Sequence, residues 1–391
     1  MRLLSPNIHR ELISWLRRHR HFHKESSRWD STDAEEMYRS RHEWLRKLRQ
    51  GRWVGIAFPE CFGGRGLDLT TQILIAEQFA LRGAPWGFIG SVIEIVGPVL
   101  LRYGTPEQQS RHIPRMLDVD EHWCLGITEP EMGSDFSGAK TTAASSGDCF
   151  VVNGRKIWTT AAHRAHYCLL LTRTNPAAVE PWLGLSYLIV SLRSQGVTIR
   201  QIPQATGQAE FNEITFNDVK VPTANLLGPL NGGWRISATL MAYESIINVV
   251  PHIQRELGRL LASARRFEHR QRIIDAGLRR ELADMFIEAA GIRAMVLQAV
   301  QLPQDRFFAG AASVAKVRAA ELGRRIQVLG LKVSGCDALV MPPKPKSLQY
   351  PWLFHYIWSC GALIARGTED IHHDLIARYT LGFIRGEDGP L

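Results

Sequence analysis

Thr128-Glu129-Pro130-Glu131-Met132-Gly133-Ser134-Asp135 sits where the chain changes character. It offers hydroxyls and exposed backbone N–H groups around a glycine turn, a loop able to hold a phosphate or the edge of a bound ring. Taken alone, it is equally an ordinary capped turn. Upstream the pattern is helical. Residues 34–50 are rich in charge and helix formers, and residues 69–81 place apolar side chains at helical spacing. Pro59 to Gly66 reads as a turn-rich loop, Gly97-Pro98 and Gly104-Thr105-Pro106 punctuate further helices, and Thr105 fits an N-cap before a proline at the first helical position.

Downstream the pattern turns to strands. Phe150 to Trp158 reads as a hairpin with Asn153-Gly154 at its turn, since both central residues of a type I′ turn need positive φ. Residues 167–171 and 185–190 read as strands, and Glu213-Ile214-Thr215-Phe216 alternates polar with apolar. From Trp234 the chain is helical again. One long pattern runs through Leu261 with Pro251 inside it, where a kink or break is expected. Residues 279–299, 311–331, 352–365 and 370–379 read as further helices, with Met341 to Lys346 a loop.

The 391 residues exceed one typical core and point to two or three lobes. With 45% hydrophobic and 22% charged residues the chain has enough apolar material to fold throughout. A net charge of +9 suits an anionic ligand, nucleic acid or a membrane surface. Its densest basic run, residues 17–24, has no nucleic-acid-binding motif around it and reads as a solvated face. Its histidines lack ligand-spaced partners, so no metal site is expected. Six scattered cysteines without a C-x-x-C pair, no apolar run of membrane-span length and no secretory leader pattern point to a cytoplasmic protein with reduced thiols.

Read with Lys156-Ile157-Trp158-Thr159-Thr160, the opening stretch resembles the acyl-CoA dehydrogenase family. Gly104 to Gln108, Phe216 to Pro222 and Gly367-Thr368 agree in order and spacing over nearly the whole chain. The resemblance implies an α+β, mostly α fold: an N-terminal helical domain (1–122), a central β-barrel-like domain (123–230) and a C-terminal four-helix bundle (231–391). It implies FAD between the β domain and the bundle. By position, Leu125, Ile127 and Thr128 line the flavin, Ser134 lies near the cofactor phosphates and the acyl-CoA, Trp158 packs against the ring and Thr160 bonds near N5. Lys332, Gly335, Thr368 and Asp370 fall at further cofactor positions, and Tyr243, Arg366 and Gly367 at substrate positions. Family chemistry removes an α-proton with a carboxylate while the β-hydride passes to the flavin.

Many members carry that base just before Gly-Thr near the C-terminus, where this chain has Arg366. Others carry it on the first bundle helix, where Glu244 stands here. On a helix Leu240, Met241 and Ile247 share the Glu244 face, and burial in an apolar stripe raises a carboxyl toward a useful value for a base. A Glu that reaches solvent or pairs structurally is the alternative, with Glu369 and Asp370 as nearby carboxylates. Arg366 pointing at Glu244 would weaken it as a base, whereas pairing with Glu369 or Asp370 or touching a polar substrate would not. A glutamine is common where Lys332 stands, and the R-x-x-F-G segment that many members lend to a neighbour's pyrophosphate is not found after Leu261.

The expected partners are an acyl-CoA, an electron-transfer flavoprotein as acceptor, and related subunits in a homotetramer or heterotetramer. No nucleic acid and no membrane span are expected. Two other functions fit the same sequence: a partly catalytic or non-catalytic subunit of a heteromeric dehydrogenase, and a flavin oxidase or monooxygenase that uses O₂.

Overall fold

The structure, a computed structural model, describes residues 4–19, 34–86, 90–269, 276–301, 306–339 and 352–383. Most of the basic run and the Met341–Lys346 loop lie outside them. Among the described residues the helices Pro6–Arg18 (α1), Ala34–Gln50 (α2), Leu69–Leu81 (α3), Gly90–Tyr103 (α4) and Pro106–Leu117 (α5) lead into the strands. These are Trp123–Gly126 (β1), Thr142–Ser146 (β2), Cys149–Thr160 (β3), Tyr167–Arg173 (β4), Leu185–Ser191 (β5), Val197–Ile202 (β6), Phe211–Pro222 (β7) and Leu226–Leu227 (β8). Gly233–Ile246 (α6), Val249–His269 (α7), Ala276–Ala299 (α8), Arg306–Ser334 (α9), Trp352–Ala362 (α10) and Glu369–Tyr379 (α11) follow. The mostly helical chain with one sheet in its middle is the fold the resemblance implies. Among the described residues no helix is long and apolar enough to cross a membrane.

The chain forms two compact units. The first contains, in its described part, residues 45–66 and 90–243, and is built on the sheet. Its strands run in the order β6-β7-β3-β2-β4-β5-β8, with β1 added parallel to β4. The sheet buries Phe150, Val152, Leu170, Val190, Ile214 and Phe216 in one core. Helix α5 is held by a capping box: Thr105 Oγ1 accepts from the Gln108 N–H, and the Gln108 side chain accepts from the Thr105 N–H. Gln108 Nε2 then donates to the Ala224 and Leu226 carbonyls, which ties this helix to the end of the sheet.

Two expectations for this unit need correction. Asn153-Gly154 is not a hairpin turn but a bulge inside the continuous strand β3, where the register to β7 shifts between Val152 and Gly154. Asn153 Nδ2 donates to the Asp218 carboxylate, and Asn153 Oδ1 accepts from the Asp218 N–H, so the amide pairs across strands instead of starting a turn. Gly154 is needed because Thr141 backbone lies where a Cβ would go, at 2.6 Å. The hairpin turn lies upstream, between Ser146 and Cys149, with Gly147 at φ +62°. Gly97-Pro98, read as punctuation, lies inside α4. There Gly97 admits the Phe58 ring, which a Cβ would meet at 2.1 Å.

The second unit contains residues 1–44, 67–88 and 244–388, and is helical in its described part. Helix α9 is its axis, packing against α7, α8, α10 and α11, while α3 packs on α7. Glu256 of α7 is fully buried and accepts from Gln327 Nε2 of α9 (2.9 Å). Burial opposes its ionisation, but Arg259 and Arg255 hold its carboxyl well below the usual range. The break expected at Pro251 falls just before it. Helix α6 ends at Ile246, Ile247-Asn248 turn, and α7 starts at Val249, which puts Pro251 in a first turn where its missing N–H costs nothing. Ile247 is therefore buried but not on the helix of Glu244, contrary to the face assigned to it from sequence.

Candidate active site

In the sheet unit, the two motif stretches are tied together by a buried ion pair. Lys156 of β3, 0% exposed, donates through Nζ to the Ile127 carbonyl (2.9 Å) and to the Glu129 carboxylate (2.7 Å). Glu129, 6% exposed, also accepts from the Lys140 and Thr141 N–H groups at 2.8 and 2.9 Å. Burial opposes ionisation of Glu129, yet the Lys156 charge and these hydrogen bonds hold its carboxyl below the ordinary value. Burial also lowers Lys156, against the pull of Glu129. The Ile157 N–H donates to the Thr128 carbonyl (2.9 Å), which completes the seam. Sequence reading missed Glu129 and Lys156, although both lie within the quoted motifs. Their signal was the presence of two charges in stretches that otherwise head into a core.

The seam aims the candidate cofactor residues outward. Beyond Lys156 the register to β7 shifts again before Thr159. Trp158 has φ +59° and Ala161 φ +54°, conformations that non-glycine residues seldom adopt. The shift leaves Trp158 54% exposed, its ring edge-on to Phe211 (6.0 Å, 88°), and Thr160 exposed beside it. Leu125, Ile127 and Thr128 are half-buried at the end of β1, and Ser134 is exposed beyond the Glu129–Met132 bridge. A half-exposed tryptophan held in a strained backbone, next to an open hydroxyl, fits a planar ring with polar edge atoms such as the isoalloxazine of FAD.

In the helical unit, Glu244 and Arg366 come together. An Arg366 guanidinium nitrogen donates to the Glu244 backbone carbonyl at 3.4 Å. Among the described residues no carboxylate forms an ion pair with Arg366. Glu244 is half-buried. Desolvation raises its carboxyl above the ordinary value, and the opposing charge of Arg366 does not cancel that. Arg366 has φ +64° and Gly367 φ +90°. This corner is fastened from both sides: Lys316 Nζ of α9 donates to the Gly367 carbonyl (2.6 Å), and His372 Nε2 donates to the Arg366 carbonyl (2.9 Å). Burial and the Arg366 charge push Lys316 down to about 8, and burial pushes His372 down to about 4. Gly367 is required here because a Cβ would meet the His372 ring at 2.9 Å. Neither Lys316 nor His372 was singled out from sequence.

Of the remaining predicted residues, Thr368 and Asp370 follow that corner directly in sequence, whereas Lys332 and Gly335 lie at the far end of α9. Thr368 spends its hydroxyl as the N-cap of α11, accepting from the Ile371 N–H, and Asp370 is exposed in the first turn. Gly335 caps the end of α9 at φ +74°, and Lys332 is exposed, 3.9 Å from the Glu281 carboxylate. Lys332 stands sixteen residues beyond Lys316 on one helix, about 24 Å along its axis, and is thus well separated from the Arg366–Gly367 corner that Lys316 fastens. Tyr243 is half-buried on α6, directly before Glu244.

Comparison with known proteins matches three family models in succession: the acyl-CoA dehydrogenase N-terminal domain over residues 14–120, the middle domain over 124–219 and the C-terminal domain over 231–381. Acyl-CoA dehydrogenase IpdE1 of Mycobacterium tuberculosis is 32% identical over 357 residues, 90% of this chain and 91% of that protein. The ChsE4–ChsE5 complex of Mycobacterium tuberculosis superposes with a TM-score of 0.81 at 25% identity, over 99% of this chain and 100% of that one. The Tcur3481–Tcur3483 steroid ACAD superposes with a TM-score of 0.79 at 25% identity, over 88% of this chain and 89% of that one.

Proposed function

This chain belongs to the acyl-CoA dehydrogenase family of oxidoreductases, and from that premise we propose that it desaturates an acyl-CoA thioester across Cα–Cβ to a trans-2-enoyl-CoA. FAD, when bound, supplies the two-electron oxidant that accepts the β-hydrogen at N5. Leu125, Ile127, Thr128, Trp158 and Thr160 hold its ring, and Ser134 its phosphate side. Lys332, Gly335, Thr368 and Asp370 are the candidates for the adenosine half.

Glu244 takes the α-proton. The observation that carries this role is its setting: a half-buried carboxyl raised by desolvation and next to Arg366, not to a neutralising ion pair. A base tuned upward from the usual carboxylate range abstracts a weakly acidic proton better at neutral pH. The Arg366 charge opposes that rise, and its hydrogen bond to the Glu244 carbonyl ties it to the last turn of α6. Tyr243 and Gly367 flank the same acyl end.

The acyl group is bulky. Two observations support this: the helix of Glu244 ends within a turn of the base instead of running on as a straight wall, and the relatives include a steroid ACAD. Electrons pass to an electron-transfer flavoprotein, and the chain works in a tetramer. The likeness to the ChsE4–ChsE5 complex favours a second, related subunit in it. Arg366, where many members carry the base, favours one further reading, in which this chain is the less catalytic partner of such a heteromer. Glu244→Gln separates the two. Loss of substrate-driven flavin reduction with FAD still bound supports this chain as the catalyst, and an unchanged rate refutes it.

A further inference from the structure

The end of β3 is bent against its own preference. Trp158 and Ala161 both have positive φ, +59° and +54°, without the freedom of glycine. Over the same stretch β3 advances three residues, Lys156 to Thr159, while β7 advances two, Ile214 to Asn212, so β3 carries one residue more than its partner can pair. Strain of this kind persists only where the surroundings over-determine it. The residue placed to do so is Asn212, which stands at the first pairing after the bulge and is 0% exposed.

Its amide is fully used. Asn212 Nδ2 donates to the Thr159 carbonyl and to the Glu210 carbonyl, both at 2.9 Å. Asn212 Oδ1 accepts from His163 Nδ1 at 2.9 Å, in the turn Ala162–Arg164 that follows the bend. The Glu210 carbonyl also accepts from the Ala161 N–H (2.8 Å). One side chain thus joins the strand before Ala161, the turn after it and the start of β7. Turned over, the amide would put its oxygen against the Thr159 and Glu210 carbonyls, so only this arrangement satisfies all three partners.

We propose that Asn212 is a positioning residue for the flavin: it holds residues 158–161 in the bent conformation that presents the Trp158 ring and the Thr160 hydroxyl. Asn212 is sealed from solvent and meets no ligand itself. Its effect passes through Trp158, 54% exposed, and Thr160, exposed beside it. This rests on the reading above that FAD lies against those two residues. Without the clamp the segment relaxes toward negative φ, and only the fraction still bent is ready to bind. The apparent dissociation constant then rises by the reciprocal of that fraction, and loss of buried hydrogen bonds puts the rise at about 10-fold or more.

The test uses the holoprotein and apoprotein prepared from it. Fluorescence titration of the apoprotein gives FAD affinity. Near-ultraviolet circular dichroism gives the setting of Trp158, its band being the difference between wild type and Trp158→Ala. Asn212→Ala is expected to weaken FAD binding about 10-fold or more and to lose the Trp158 band. A background carrying Trp158→Ala and Thr160→Ala lacks both groups that Asn212 places. There the same change is expected to alter FAD affinity less than about 2-fold, whereas a general loss of stability would act equally in both backgrounds.

FAD affinity unchanged in Asn212→Ala, the same loss in the truncated background, or a Trp158 band that survives would overturn the proposal and leave the cofactor reading standing. A Trp158 band lost in Asn212→Ala, in a chain that takes up no FAD, would uphold the clamp and refute the cofactor reading. Should Asn212→Ala fail to fold, Asn212→Asp, of the same shape but with only acceptor atoms facing the two carbonyls, replaces it in every comparison.

Discussion

Replacing Lys156 by Met tests whether the seam between the two motif stretches is structural in the way its geometry implies. The change removes two donated bonds, to Ile127 O and to Glu129, and leaves Glu129 6% exposed without a cation. Breaking a buried pair from one side costs about 3–5 kcal/mol, because the surviving charge stays desolvated. Glu129 keeps the Lys140 and Thr141 N–H groups, which places the loss at the lower end, about 3 kcal/mol. Urea unfolding of the sheet unit by tryptophan fluorescence, with FAD retention followed in parallel, measures it. Glu129→Gln with Lys156→Met should recover part of the loss, since neither charge is then stranded.

The pH dependence has a definite sign. Glu129 has a lowered pKa in the fold, so its contribution is present above the unfolded carboxylate value and is lost as pH falls through the folded one. In Lys156→Met burial acts on Glu129 without its cation, so the deficit against wild type shrinks as the solution is acidified toward pH 4. A loss below about 1 kcal/mol, with the double variant no better than the single, would refute the reasoning.

Glu244→Gln should leave FAD bound and slow substrate-driven flavin reduction by about 10³-fold, read by anaerobic stopped flow. Arg366→Gln removes the charge that holds Glu244 down, so the acid limb of the pH–rate profile should move to higher pH; an unmoved limb contradicts the coupling. Trp158→Gly should weaken FAD binding while leaving the apoprotein as stable or more so, because glycine relaxes the φ of +59°; a fall in apoprotein stability would count against strain at that site. Lys316 has a depressed pKa of about 8 in the fold, so the unfolded chain binds the extra proton between there and the ordinary lysine value. Its contribution makes stability rise with pH over that window, and Lys316→Met should flatten the rise in a series of urea titrations.

The helices and most strands were legible because they depend on local chemistry. Residues 69–81 carry a helical apolar period, and Thr105-Pro106 carries a cap, and both structures follow. Asn153-Gly154 misled because its turn-forming preference competes with a partner on the neighbouring strand β7: Asp218 pairs with the amide, and Thr141 leaves room only for glycine. Gly97-Pro98 misled for the same kind of reason, since Phe58 fills the space that makes Gly97 useful inside a helix. The candidate site was legible where it is a linear motif. Residues 128–135 and 156–160 announced themselves, but the Lys156–Glu129 bond between them is a tertiary fact. The setting of Glu244 depends on Arg366, and that of Arg366 on Lys316 and His372, residues brought in by two other helices.

The most direct test of the account is a visible spectrum of the purified chain followed by anaerobic titration with acyl-CoAs, bulky and steroid ones included. A flavin spectrum that bleaches with at least one of them in the wild type, and does not bleach in Glu244→Gln, is the expected result. A bound flavin that no acyl-CoA reduces, or one reduced equally fast in Glu244→Gln, would contradict it.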